Sequence, residues 1–221
     1  MDVIILYSTK GGCGKTTLAA HLAVEAERQG AGPVAVIDAD PQASLARWWN
    51  GRKAATPAFI QTTLNELPAQ LATLKKAGVK LVLIDTPGAD VSHSRAIIRS
   101  ADLVVIPSRP SPLDLGTLGS TVGAVEAENK PLMFVLNAVT ARTRISAQAM
   151  MALSQHGPVG GILHQRTDYA ASMTDGRVAV ELDPSSKSAE EIAQLWVNLL
   201  HSLRKQAAAP ARDSVRKEVT A

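Results

Sequence analysis

The chain has 221 residues, of which 46% are hydrophobic and 19% charged, so it fits one globular domain with enough apolar material for a core. Its net charge of +3 and pI of about 9.1 permit contact with a polyanion, while 3% aromatic residues argue against a stacking platform for single-stranded nucleic acid. A single cysteine excludes an internal disulfide framework and a metal site of several thiolates, which favours a reducing cytoplasm.

Short apolar runs alternate with longer helical patterns along the chain. The first run, residues 3–7, is too short for a signal peptide, and none reaches the roughly 18 residues of a membrane-spanning helix. The run over residues 3–7 is apolar at every position and predicts a buried strand, and similar short apolar runs predict strands over residues 34–37, 80–84, 103–106, 132–136 and 161–163. The intervening patterns predict helices over residues 16–28, 64–76, 92–100, 113–128, 146–155 and 189–205.

Buried strands separated by helices indicate an α/β fold, a doubly wound, mostly parallel sheet flanked by helices. Ligands of such folds bind beyond the carboxyl ends of the strands, and the polar, glycine-rich segments of this chain follow the first four predicted strands. We expect one domain over residues 1–205. Residues 206–221 are rich in alanine, proline and charge, and we expect a disordered tail there.

A glycine-rich loop between the first strand and the first helix predicts a phosphate-binding site. Glycines let backbone N–H groups turn towards phosphate oxygens, and the helix N-terminus adds positive potential. Lys15 is placed to reach the β- and γ-phosphates, and the Thr16 hydroxyl to coordinate Mg²⁺. A purely structural glycine turn is the alternative. Cys13 is interpreted as a small residue that fits the loop, although a redox-sensitive thiol is conceivable. The predicted nucleotide-binding loop comprises Gly11, Gly12, Cys13, Gly14, Lys15, Thr16 and Thr17.

Carboxylates follow the second and third predicted strands. Asp38 and Asp40, two positions apart after a strand end, can both face a metal–phosphate site, although Asp-Pro is also a turn signal. Asp85 ends a run of four apolar residues, where an acid is costly to bury without a partner such as a metal ion.

The segment from Lys10 to Thr16 resembles the deviant phosphate loop of ParA/MinD-type ATPases, which are P-loop NTPases of the SIMIBI type. The resemblance implies ATP and Mg²⁺ as cofactors and a nucleotide-sandwich homodimer in which Lys10 acts across the interface. It also implies that Asp40 orients the attacking water with support from Asp38, and that Asp85 holds Mg²⁺ through water. Gly88 resembles the switch residue that senses the γ-phosphate. The expected catalytic residues are Lys10, Lys15 and Asp40, and the expected metal site is Thr16, Asp40 and Asp85.

Adenine specificity rests on the same resemblance. Pro110 and Pro112 lie in a proline-dense segment similar to one that adjoins the base in the family, and Asn137 matches an asparagine that contacts adenine. Prolines after a strand also commonly make a rigid loop. The guanine motif Asn-Lys-x-Asp does not occur in the sequence.

The resemblance spans residues 2 to about 205 and is greatest to small ParA proteins of the ParF kind. It implies ATP-dependent, non-specific DNA binding, nucleoid association, and slow hydrolysis stimulated by a cargo-associated, ParB-like activator. Since the loop begins at Lys10, we expect no preceding helix-turn-helix domain. Non-specific binding needs a basic surface, and the candidates are Arg142, Arg144, Arg166, Arg177, Lys187, Arg204 and Lys205.

Three other functions occur with a similar loop. MinD-like membrane binding needs a free amphipathic C-terminal helix, but the apolar stripe of residues 189–205, which includes Trp196, is more simply core packing, so no membrane partner is expected. An iron–sulfur carrier needs paired cysteines, and Cys13 is the single cysteine of the sequence. A ligase like dethiobiotin synthetase is the third, and a substrate-dependent product would favour it.

Overall fold

The computed structural model describes residues 1–88 and 91–208, without the side chains of residues 91–94. Within these ranges seven strands form one sheet in which every hydrogen-bonded pair is parallel. In chain order they are β1 (Asp2–Leu6), β2 (Val34–Asp38), β3 (Ala58–Gln61), β4 (Leu81–Asp85), β5 (Leu103–Ser108), β6 (Leu132–Val139) and β7 (Val159–His164). The spatial order is β3-β2-β4-β1-β5-β6-β7.

Helices cover both faces of this sheet. They are α1 (Lys15–Arg28), α2 (Ser44–Gly51), α3 (Leu67–Lys76), α4 (Val91–Arg99), α5 (Pro112–Gly116), α6 (Leu118–Glu126), α7 (Arg144–Ser154), α8 (Thr167–Ser172), α9 (Ala179–Leu182) and α10 (Lys187–Ala208), with a 3₁₀ turn at Met173–Asp175. One core cluster joins the sheet to α1, α2, α9 and α10, and the other joins it to α3, α4, α6 and α7. The predicted doubly wound parallel fold is therefore confirmed.

The strand order brings the predicted functional segments to one edge. The chain passes from β1 to β2 on one side of the sheet and later crosses to β5 on the other, so the connections diverge beside β1, the usual position of a ligand crevice. Asp85 is the register partner of both Leu6 and Asp38. The carboxyl ends of β1, β2 and β4 therefore lie in one row.

Several elements differ from the sequence-based prediction. The edge strand β3 and the helix α2 were not predicted, and the helix expected over residues 113–128 is divided at Thr117 into α5 and α6. Helix α10 continues to Ala208, so the first three residues of the predicted tail are helical, as their Gln-Ala-Ala sequence allows. Residues 209–221, where the rest of that tail was predicted, lie outside the described residues.

The apolar stripe of α10 is core, as expected. Ile192, Leu195, Trp196, Leu199 and Leu203 are buried, and α10 packs against β7 and α1. Among the described residues, no helix is long and apolar enough to cross a membrane.

Candidate functional site

The glycine-rich loop between β1 and α1 opens onto a cavity of about 950 Å³ at the carboxyl edge of the sheet. Gly14 has a φ of 103°, in the left-handed region, and a Cβ there would overlap the Asn137 amide nitrogen. The Gly14 carbonyl accepts the first bond of α1, from the backbone N–H of Leu18 at 2.9 Å. The loop thus joins α1 so that the helix N-terminus faces the cavity. The residues that line the cavity include Gly11, Gly12, Gly14, Lys15, Thr16, Thr17, Asp40, Arg47, Gly88 and Arg109.

Lys15 and Thr16 lie at the floor of this cavity, beside Asp85. The Lys15 ammonium donates to the Lys10 carbonyl at 3.3 Å, and the side chain is mostly buried. The Thr16 hydroxyl donates to Asp85 Oδ2 at 2.5 Å. The other oxygen, Asp85 Oδ1, is buried and has no hydrogen-bond partner among the described residues. Burial raises the pKa of Asp85 to about 7, and the Thr16 hydrogen bond and the Lys15 charge, which lower it, do not offset this effect.

These groups fit a magnesium ion. The buried and unsatisfied Asp85 oxygen, the adjoining Thr16 hydroxyl and the Asp40 carboxylate in the same cavity are the oxygen ligands that Mg²⁺ prefers. The described residues contain no cluster of three or more His, Cys, Asp or Glu side chains suited to a metal. Magnesium in nucleotide sites does not need one, because it keeps several waters and takes the phosphates as further ligands.

The two aspartates after β2 have different surroundings. Asp38 is buried, and its two oxygens accept the backbone N–H groups of Asp40 at 3.0 Å and Ala46 at 2.8 Å. Its pKa is raised, mainly by burial, although these bonds oppose the shift. Asp40 is half-buried, accepts from the Gln42 N–H at 2.9 Å and lines the cavity. Asp38 therefore shapes the loop that presents Asp40.

Lys10 is held within its own chain. Its ammonium lies 3.0 Å from Asp114 Oδ1, with the lysine side chain 32% exposed and the aspartate 7%. Asp114 belongs to the short helix α5, where it also accepts a bond from the Ser111 hydroxyl at 2.6 Å. No role for Asp114 followed from the sequence, since nothing in the spacing pairs it with Lys10.

Gly88, the predicted switch residue, lies against the phosphate loop. A Cβ on Gly88 would be 3.4 Å from both Cα and N of Gly11, so the two backbones are close neighbours. Gly88 also lines the large cavity, next to Pro87. Residues 89 and 90, which follow it, lie outside the described residues.

A second cavity of about 180 Å³ adjoins the first and contains Asn137. The Asn137 amide donates to the Cys13 carbonyl at 2.7 Å, which ties the end of β6 to the phosphate loop. Pro110 and Pro112 are not among the described residues that line either cavity; Arg109, from the same segment, lines both. The base-proximal role of the prolines stays a prediction.

A polar cluster that the sequence did not suggest borders this smaller cavity. Glu191 of α10 accepts hydrogen bonds from the His164 ring at 2.8 Å, from Arg166 at 2.7 Å and from the Tyr169 hydroxyl at 2.9 Å. Burial opposes ionisation of Glu191, but these bonds outweigh it and lower its pKa. The cluster joins β7, α8 and α10, and three of its members line the cavity.

The predicted DNA-contacting residues do not form one group. Arg142 and Arg144 are exposed at the carboxyl edge, in the loop after β6 and at the start of α7. Helix α10 begins beside His164, the last residue of β7, and Asn198 farther along it bonds Gly160 near the strand's start. Its final basic residues therefore lie towards the opposite edge. Three others have acidic partners: Arg166 with Glu191, Arg177 with Asp175 at 2.7 Å, and Lys187 with Glu190 at 4.0 Å.

Comparisons with known proteins agree with this geometry. The chain is 27% identical over 210 residues to the maintenance of carboxysome distribution protein A of Halothiobacillus neapolitanus, covering 90% of this chain and 96% of that protein. It is 28% identical over 228 residues to the protein virC1 of Rhizobium rhizogenes, covering 93% and 96%. It is 36% identical to a ParA protein of Rhizobium radiobacter over 128 residues, covering 56% and 54%.

Solved structures share the fold. The cell division ATPase MinD of Pyrococcus furiosus superposes with a TM-score of 0.76 at 19% identity, covering 90% of this chain and 98% of that one. An ATP complex of a Cyanothece McdA variant has a TM-score of 0.75 at 18% identity, covering 92% and 96%. The family model for the CobQ/CobB/MinD/ParA nucleotide binding domain matches residues 4–180. The chain therefore belongs to the CobQ/CobB/MinD/ParA family of nucleotide-binding proteins.

Proposed function

We propose that this protein is an ATPase that dimerises on ATP, binds DNA without sequence preference and positions a cargo. The observation that carries the proposal is the buried pair at the cavity floor, where Thr16 bonds one oxygen of Asp85 and the other oxygen has no described partner. A buried carboxylate with one unbonded oxygen, beside a phosphate loop, is suited to bind the metal ion of a metal–nucleotide complex.

We assign parts in hydrolysis to the phosphate loop, Gly88, Asp40, Thr16 and Asp85. Lys15 and the loop N–H groups bind the β- and γ-phosphates, and Gly88 detects the γ-phosphate through its backbone. Asp40, with its free carboxylate edge in the cavity, orients the attacking water. Thr16 and Asp85, with Asp40 beside them, would hold a magnesium ion, which would supply positive charge to the phosphates. Catalysis then comes from positioning and electrostatics, so we expect slow turnover without an activator.

In the proposed homodimer, Lys10 supplies a further positive charge to the phosphates bound by the opposing subunit. Lys10 directly precedes Gly11, which lines the cavity, and its side chain is one-third exposed, so exchange of its Asp114 partner for a phosphate of the opposing subunit would need a side-chain movement. The dimer would be an ATP sandwich closed over the carboxyl edges of both sheets.

The names of the relatives support a positioning role. They include carboxysome distribution, ParA and plasmid-partitioning proteins. We propose that the ATP dimer associates with nucleoid DNA in the cytoplasm, and that a cargo-associated, ParB-like protein stimulates hydrolysis and releases it. The cargo is a plasmid, a chromosome region or a protein assembly.

The first test is binding to a random-sequence duplex without nucleotide and with ADP, ATP or a non-hydrolysable ATP analogue, at two salt concentrations. We expect salt-sensitive binding in the two ATP states only, because phosphate neutralisation supplies non-specific affinity. Lys15→Gln should lose every nucleotide-dependent response, and Asp40→Ala should bind ATP and remain on DNA. Absence of DNA binding in all states, with ATPase activity intact, would refute the DNA role.

A ligase remains the second candidate because of a neighbouring cavity. About 640 Å³ of space lies beside Asp40, Pro41 and Pro87, which also line the nucleotide cavity, and it has room for a co-substrate. A ligase would consume ATP only with that co-substrate and would form a new product. ADP and phosphate as the only products, released faster with DNA and activator, would exclude it.

A further inference from the structure

The large and small cavities meet at three residues. Gly14, Thr17 and Arg109 line both the cavity of about 950 Å³ and the cavity of about 180 Å³. The first holds the phosphate loop and the second holds Asn137. A nucleotide with its terminal phosphates in the first and its base in the second therefore has its α-phosphate and ribose at the shared residues.

Of the three residues that line both cavities, Arg109 is the one that carries a charge. In the small cavity, Arg166 and the His164 ring are engaged by Glu191. Lys15 and Arg47 line the large cavity and not the small one, and Lys15 is already assigned to the β- and γ-phosphates. Among the described residues, none accepts a hydrogen bond from the Arg109 guanidinium, which is exposed.

The backbone around Arg109 is ordered by its own contacts. The residue follows β5 directly, and its carbonyl accepts the Ser111 N–H at 2.8 Å. Pro110, the next residue, restricts Arg109 to extended conformations. The guanidinium therefore projects from a defined position at the carboxyl edge of the sheet.

We propose that Arg109 binds the α-phosphate of the nucleotide. A guanidinium can donate two parallel N–H bonds to a phosphate, and such charged, bidentate pairs are stronger than neutral hydrogen bonds. This assignment rests on the proposed nucleotide-binding function and adds a residue to it. Because ADP and ATP share the α-phosphate, Arg109 must stabilise both complexes equally.

The test is the dissociation constant of each nucleotide, measured by calorimetry on the full chain. The variants are Arg109→Ala and Arg109→Lys, with Arg144→Ala, an exposed arginine at the same edge of the sheet, as the control for net charge. We expect Arg109→Ala to weaken ADP and ATP alike by about tenfold or more. Arg109→Lys should recover part of the affinity, because lysine keeps the charge and loses the paired N–H bonds, and the control should bind ADP as the wild type does.

Thermal unfolding without nucleotide should be unchanged in Arg109→Ala, since the side chain is exposed and has no described partner. Unchanged ADP affinity in that variant would overturn the assignment, as would a loss confined to ATP. A wild-type chain that binds neither nucleotide would refute the proposed function itself, which is a different outcome from a wild type that binds and an Arg109→Ala variant that matches it.

Discussion

At the scale of single residues, Asp38 and Asp40 differ: Asp38 supports the local structure, whereas Asp40 faces the cavity. Asp38 is buried with both oxygens bonded to backbone N–H groups, whereas Asp40 is half-buried and has one such bond. An asparagine at position 38 would turn an NH₂ group towards one of those N–H donors. An asparagine at position 40 can direct its NH₂ group to the cavity.

We therefore predict that Asp38→Asn lowers the free energy of unfolding by about 1–3 kcal/mol, the usual cost of leaving a buried polar group unsatisfied. Asp40→Asn should unfold within about 0.5 kcal/mol of wild type, as most changes away from buried features do, yet lose ATP hydrolysis. Urea denaturation and phosphate release measure the two effects. Equal stability of the two variants would contradict the division of roles.

The ion pair between Lys10 and Asp114 gives a second residue-scale prediction. Since Lys10 must leave Asp114 to act across a dimer, Asp114→Asn should favour the ATP-bound dimer and lower the protein concentration at which it forms. Light scattering after size exclusion, with a non-hydrolysable ATP analogue, measures this. Ser111→Ala is the matched control, because it removes the other Asp114 contact and keeps the ion pair. Weaker dimerisation of Asp114→Asn would mean that Asp114 is needed in the dimer.

Sequence alone could group the candidate site residues where they are close together in the chain. Lys10 to Thr17, Asp38 and Asp40, and Asp85 to Gly88 each follow one strand, so local spacing placed them together. Three other features depend on contacts between distant segments: Arg109 as the cation between the two cavities, Asp114 as the partner of Lys10, and Glu191 as the centre of a cluster. The hydrophobic periodicity of a sequence carries no information about such contacts.

At the scale of elements, His21 connects the phosphate-loop helix to the C-terminal part of the chain. Its Nε2 accepts the Ala179 N–H at 3.1 Å, so Nδ1 carries the proton and donates to the Thr17 carbonyl at 2.8 Å. The ring is fully buried, and burial lowers its pKa from 6.5 to about 4. The neutral ring thus links α1 to α9.

The sign of the pH dependence follows from this. The unfolded chain binds a proton at His21 below about pH 6.5 and the folded chain only near pH 4, so stability from this residue is complete above 6.5 and falls as the pH falls. Between about pH 7.5 and pH 5 we expect His21 to contribute a loss of roughly 2 kcal/mol in the free energy of unfolding, seen as the difference between wild type and His21→Gln, because the raised pKa of Asp85 acts in the opposite direction in both proteins. Urea titrations at both pH values measure it. His21→Gln should be less stable at neutral pH and show a smaller decrease on acidification; an equal decrease would assign the effect to other groups.

The missed elements have physical explanations. Strand β3 is four residues long at the sheet edge, with no fully buried residue, so it lacks the apolar run that marks β2 or β4. Helix α2 begins after Ala43 at a φ of 51° and without a side-chain cap. Its N-terminal support comes from Asp38, whose carboxylate accepts the Ala46 N–H, and capping signals in the sequence do not include a contact of that kind.

At the scale of the whole molecule, the proposed dimer makes the two edges of the sheet different. The cavity opens at the carboxyl edge, so the proposed ATP sandwich would bring the carboxyl edges of two subunits together. Arg142 and Arg144 lie at that edge, after β6, and both are exposed. Such a dimer would therefore carry two copies of this pair on the side where the subunits meet. Arg204 and Lys205, at the far end of α10, would lie on the outer ends of the dimer.

This difference predicts which basic residues make DNA binding depend on ATP. A patch that forms only in the dimer contacts more phosphates than either subunit alone, and affinity rises steeply with the number neutralised. Arg142→Ala with Arg144→Ala should abolish the ATP-dependent part of binding and reduce the slope of log K against log salt by up to about 4, since four charges are lost per dimer. Arg204→Ala with Lys205→Ala should retain ATP-dependent binding. Both double variants carry the same net charge, so loss of ATP dependence in the second and its retention in the first would place the DNA on the outer ends instead.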